Sequence, residues 1–82
     1  MPYNSKVFGI VISRERTRRN MSQETLSALA GIARSHLAML EGGRKTVRLD
    51  TLWQISEALS IKPGELISMV ESEMQHEKEN ID

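Results

Sequence analysis

Apolar residues along this chain recur at three- and four-residue intervals and nowhere alternate over a strand's length, so helices are predicted throughout. In the first, about Lys6 to Arg19, Phe8, Val11 and Ile12 share one face. Asn20 follows, a residue that tolerates the left-handed geometry ending a helix. Ser22 suits the N-cap of the second helix, Glu24 favours its positive end, and Leu26, Leu29 and Ala30 form its stripe. Gly31 interrupts the pattern. The third helix, about Arg34 to Glu41, turns Leu37 and Leu40 inward and stops at Gly42-Gly43. The fourth, about Leu49 to Leu59, lines one face with Leu52, Ile55, Ala58 and Leu59. The fifth starts at Pro63, where a missing N–H is harmless, and carries Leu66, Ile67, Val70 and Met74.

Eighty-two residues hold one compact core. The expected division is a domain over 1–70 and an acidic C-terminal extension over 71–82 that continues the fifth helix and then frays. With no cysteine, neither a disulfide framework nor a Cys-based metal site is expected. The apolar run Val7–Ile12 is far short of the ~20 residues of a membrane span and lacks signal-peptide flanks. A cytoplasmic protein without a membrane partner is expected. The net charge of zero conceals a split: residues 1–48 carry nine Lys/Arg against three acids, and residues 49–82 two against eight. A cationic half beside an anionic half suits a polyanion on one face and a different role elsewhere.

Two helices separated by a short break at Gly31 form a helix-turn-helix (about 22–41), in which the second helix enters the DNA major groove. Ser27 is small where the helices cross, and Gly31 allows positive φ in the turn. Ile32, Leu37 and Leu40 anchor the third helix, which leaves Arg34, Ser35, Ala38 and Met39 pointing outward.

The run MSQETLSALAGI (21–32), then Leu37, Leu40-Glu41, Gly43, Leu49-Asp50-Thr51-Leu52, Ile55, Ala58-Leu59 and Pro63-Gly64-Glu65-Leu66, resembles the Xre/Cro/CI helix-turn-helix regulators over roughly residues 8–70. The segment GGRKTVRLDTL also resembles restriction–modification controller proteins. The resemblance implies an all-α, five-helix fold of lambda-repressor type. It implies base reading by Arg34, Ser35 and Met39, with Arg34 suited to a guanine and Met39 to a thymine methyl. It places Gln23, His36, Gly43, Arg44, Lys45 and Arg48 at the DNA backbone, and pairs Arg16 with Glu41 in a partly buried structural ion pair. Departures from the family pattern fall at Ala33, Arg48 and Lys62, where helix caps are usual, and at Gly42, where a DNA-contacting side chain is common.

Other residues read more plainly. His36 and His76 are too few and too separate for a metal site, and neither cofactor nor metal is expected. The five methionines suit gap filling. Trp53 is expected to be partly buried between the fourth helix and a neighbour, with dimer contact as the second option. The helix-1 arginines Arg14, Arg18 and Arg19 are either a solvated face or within reach of phosphate. Ile67, Val70 and Met74 form an extra apolar stripe, which favours a homodimer; the competing arrangement folds them back on helix 1. The expected function is therefore a dimeric transcriptional regulator on a pseudo-palindromic double-stranded DNA operator, blocking or recruiting RNA polymerase according to operator position. A restriction–modification controller, a prophage repressor and an antitoxin using its acidic segment on a protein partner all remain open. No paired carboxylates, nucleophile–base set or phosphate loop suggests an enzyme.

Overall fold

A computed structural model of the chain describes residues 2–80, with side chains through 78; the last two residues of the expected extension lie outside the described residues. Five helices follow one another: α1 (Ser5–Arg18), α2 (Gln23–Ala30), α3 (Arg34–Glu41), α4 (Leu49–Ala58) and α5 (Pro63–Asn80). The all-α, five-helix expectation is met. α1 packs on α3 and α5, α2 on α3 and α4, and α4 on α5.

One device closes each of the first four helices. A residue with positive φ follows the helix end: Asn20 (57°), Gly31 (72°), Gly43 (71°) and Ser60 (58°). In each case its amide and the next one bond back to carbonyls of the last turn. The pairs are Asn20 to Thr17 with Met21 to Arg16, and Gly31 to Ala28 with Ile32 to Ser27. The same pattern joins Gly43 to Leu40 with Arg44 to Met39, and Ser60 to Glu57 with Ile61 to Ser56. These closures satisfy helix-end carbonyls and turn the chain sharply, which lets short helices pack around one centre. Ser60 is the one with no glycine or asparagine to announce it.

Phe8, Val11, Ile12, Leu26, Leu37, Leu40, Ile55, Leu59 and Leu66 form the fully buried centre. Three expectations are corrected. Leu29 is 60% exposed, because the inward face of α2 is Leu26, Ser27 and Ala30. Trp53 is 52% exposed beside Leu49, with Asp50 and Gln54 completing a shallow surface depression. Val70 is only 6% exposed and belongs to the core, so most of its surface lies inside the fold rather than on an exposed stripe. Packing of α5 on α1 and α4 covers it, with Met74 partly buried behind and Ile67 left 48% exposed. The boundary expected at residue 70 falls inside α5, which continues through Asn80. Arg14 of α1 reaches Glu73 across it at 2.7 Å.

Two further contacts fix α1. Gly9 is buried where α1 meets the end of α3; a Cβ there would lie 2.6 Å from the Leu40 carbonyl oxygen and closer still to that of Glu41. Glu15 is buried under three arginines, with Arg19 at 2.8 Å, Arg18 at 3.4 Å and Arg14 at 3.7 Å. Arg19 also donates to the Glu15 and Leu59 carbonyls, tying the end of α1 to the end of α4.

Candidate nucleic-acid interface

α2 and α3 are joined by Gly31, Ile32 and Ala33. α2 starts cleanly: the Ser22 hydroxyl accepts from the Thr25 amide at 3.0 Å. α3 has no such cap, since Ala33 offers no side-chain oxygen. Its direction comes from burial instead, because Leu37 and Leu40 are completely covered and Ile32 is partly so. That anchoring leaves Arg34 and Ser35 exposed on the first turn, with His36, Ala38 and Met39 half-buried.

The C-terminal end of α3 is held by Glu41. Arg16 approaches it with two parallel hydrogen bonds, Nε to Oε2 at 2.8 Å and Nη2 to Oε1 at 3.0 Å. The third arm, Nη1, donates to the Met21 carbonyl at 2.8 Å, just ahead of the α2 N-cap. The hydrogen bond to Glu41 raises the Arg16 pKa above its ordinary value, against the opposing effect of burial. Gln23, the first residue of α2, donates Nε2 to Glu41 Oε1 at 3.1 Å. An amide NH2 has two hydrogens, so one remains for another acceptor. One carboxylate therefore gathers α1, the start of α2 and the end of α3.

Beyond α3 the chain runs through Gly42–Arg48 with Arg44, Lys45 and Arg48 exposed. Gly43, which the resemblance places at the DNA backbone, does not offer a free amide. Its N–H donates to the Leu40 carbonyl at 3.2 Å and is engaged in closing α3. What Gly43 supplies is conformational: its φ is +71°, and a Cβ would sit 2.7 Å from the Lys6 Cα. At the start of α4, Arg48 supplies no side-chain cap; it lies 3.4 Å from Asp50, both highly exposed, a pair of small energetic weight.

The fold thus brings Arg34, Ser35 and Met39 onto one short helix, with Gln23 braced at the helix end. Ile67, Tyr3 and Met74 belong to a different surface, where with Val70, Glu71 and Gln75 they line a groove between the N-terminal segment and α5. Reading the sequence missed Gly9 and Glu15. The signal for Gly9 was an isolated glycine inside an apolar helical run. Nothing marked Glu15, which looks like one charge among many on a polar face.

A braced helix-turn-helix with an exposed cationic first turn defines a DNA-binding transcriptional regulator. The helix-turn-helix family model matches residues 12–66, and the chain belongs to that family. It is 30% identical over 63 residues to the uncharacterised HTH-type transcriptional regulator y4dJ of Sinorhizobium fredii, covering 77% of this chain and 82% of that one. It is 35% identical over 51 residues to the control protein C.BamHI of Bacillus amyloliquefaciens, covering 62% of this chain and 63% of that protein. Among solved structures it resembles the restriction–modification controller protein C.AhdI of Aeromonas hydrophila. The TM-score is 0.73 and the identity 37%, over 76% of this chain and 94% of that one. The fold is also shared with the controller C.Esp1396I, solved as a tetramer with its natural 35 base-pair operator. There the TM-score is 0.82 and the identity 19%, over 92% of this chain and 99% of that one. No helix among the described residues is long and apolar enough to cross a membrane.

Proposed function

We propose that this protein is a controller-type regulator that binds a pseudo-palindromic operator as a homodimer. α3 lies in the major groove, with Arg34, Ser35 and Met39 at base edges. Gln23, His36, Arg44, Lys45 and Arg48 contact the sugar–phosphate backbone and set the register. The observation that carries this reading is the exposed Arg34–Ser35 turn on a helix immobilised from behind by Leu37, Leu40 and Glu41. The likeness to C.AhdI and C.BamHI supports the controller assignment. Ile67 and the exposed part of Met74, beside Tyr3, supply the apolar contact for the second copy. Such a dimer sets its two α3 helices about 34 Å apart, one turn of DNA. Bound at its operator, the dimer blocks or recruits RNA polymerase according to where that operator lies.

The test is selection of bound duplexes from a random pool, with sedimentation of the protein alone and with a selected duplex. Enriched sequences with two inverted half-sites about ten base pairs apart, and two chains per duplex, support the reading. A single unrepeated site, or one chain per duplex, overturns the dimer.

A further inference from the structure

The α3–α4 loop does not stand alone; it is seated on the first turns of α1. The absent Cβ of Gly43 leaves just enough room for Lys6, whose Cα and Cγ would both lie 2.7 Å from it. Ser5 Oγ meets Thr46 Oγ1 at 3.3 Å on the same seam. One turn further along α1, Gly9 lies against the carbonyls that end α3. The stem of Lys6 is thus packed beside the segment that carries Arg44 and Lys45, and its residue remains exposed.

Local electrostatics disfavour a lysine at this position. Lys6 is the second residue of α1, at the positive end of the helix dipole, and the first turn holds no acidic residue to offset it. Among the described residues Lys6 forms no ion pair. A cation that weakens its own helix and sits against a cationic loop suits an external anion.

We infer that Lys6 is an additional phosphate-contact residue, presented by α1 as an extension of the α3–α4 loop. This rests on the regulator reading above. It makes α1 part of the DNA-binding surface through its first turn, separately from Arg16.

The test measures binding of a random-sequence 25-base-pair duplex by fluorescence anisotropy over a range of KCl concentrations, for the wild type, K6Q, K6R and K78Q. Each phosphate contact contributes about 0.9 to the slope of log affinity against log salt. A bound homodimer presents two copies of Lys6, so K6Q is expected to shallow the slope by about 1.8 and to weaken binding several-fold at low salt. K6R is expected to retain both. K78Q is the charge-matched control on the acidic end of α5, and is expected to leave the slope unchanged. K6Q is also expected to melt at the same or a slightly higher temperature, since a cation leaves the positive helix end. An unchanged slope in K6Q, or an equal loss in K78Q, overturns the assignment while leaving the regulator reading intact. A wild type that binds no duplex at any salt overturns both.

Discussion

Arg16 and Glu41 lie 25 positions apart in sequence and meet through two parallel hydrogen bonds of 2.8 and 3.0 Å. The carboxylate is nearly covered and the guanidinium mostly so, and Gln23 occupies one of the same carboxylate oxygens. Removing one partner leaves the other charge poorly solvated and costs about 3 kcal/mol. R16M and E41L should each lower stability to urea by roughly that amount, and the double variant by clearly less than the sum. Additive losses in this cycle would show that the pair contributes no coupling. R16M should also free the Met21 carbonyl and loosen the start of α2, so duplex binding should fall in protein that is still folded.

Glu15 offers a different electrostatic signature. Its hydrogen bond from Arg19, with the charges of Arg18 and Arg14, holds its carboxyl below the usual range despite burial. A group with a folded pKa below its unfolded value of about 4.3 stabilises the fold above that pH. The contribution disappears as pH falls through the folded pKa. Urea midpoints measured from pH 6 to pH 2 should therefore drop more steeply for the wild type than for E15Q. Parallel curves would mean that Glu15 titrates alike in folded and unfolded chains.

Most of the fold is legible in the sequence because its signals are local. Ser22, Asn20, Gly31 and the apolar repeats each act within a turn of their own position. The misreadings share a cause in tertiary packing. Periodicity alone assigns both Leu29 and Val70, but a stripe wider than its partner must leave one edge outside, and periodicity does not say which. α5 is covered by two helices, so Val70 is inside; α2 turns a narrow face inward, so Leu29 is out. The resemblance places Gly43 at the DNA backbone, whereas its amide is engaged by the same closure that ends the other helices. Gly9 and Glu15 matter only through residues far away in sequence.

The two helical glycines Gly9 and Gly64 should respond in opposite directions to alanine. At Gly9 the new methyl meets backbone carbonyls of Leu40 and Glu41, which cannot move without displacing α3. The overpacking penalty outweighs the gain in helix propensity, and a net loss of about 2 kcal/mol is expected. At Gly64 nothing lies within 4 Å of an added Cβ, and G64A should stabilise by up to about 1 kcal/mol. Thermal melts of the two variants test this; a stable G9A would refute close contact between α1 and α3.

Ser60 holds φ at +58° in the closure after α4, where an L side chain is strained. S60G relieves that strain while adding backbone freedom to the unfolded chain, for a net gain of about 0.5 to 1 kcal/mol. In a domain of this size that corresponds to a rise in Tm of about 2–8 °C. S60A keeps the strain and should not reproduce the rise.

The proposed interface separates into residues that read and residues that hold, and the two kinds should fail differently. Arg34 is exposed on the first turn of α3, and in the proposed interface its guanidinium meets one guanine. R34A should weaken binding to a selected operator by about 1–3 kcal/mol per half-site and relax preference at one symmetric pair of positions. Lys45 sits in the loop, where its charge can meet a phosphate of any sequence. K45A should weaken selected and random duplexes alike and shallow the salt slope by about 1.8, about 0.9 for each of the two copies in the dimer. A matrix of two proteins, two duplexes and several salt concentrations distinguishes these outcomes. If R34A weakened both duplexes equally, Arg34 would belong with the backbone contacts, and base discrimination would fall to Ser35 and Met39.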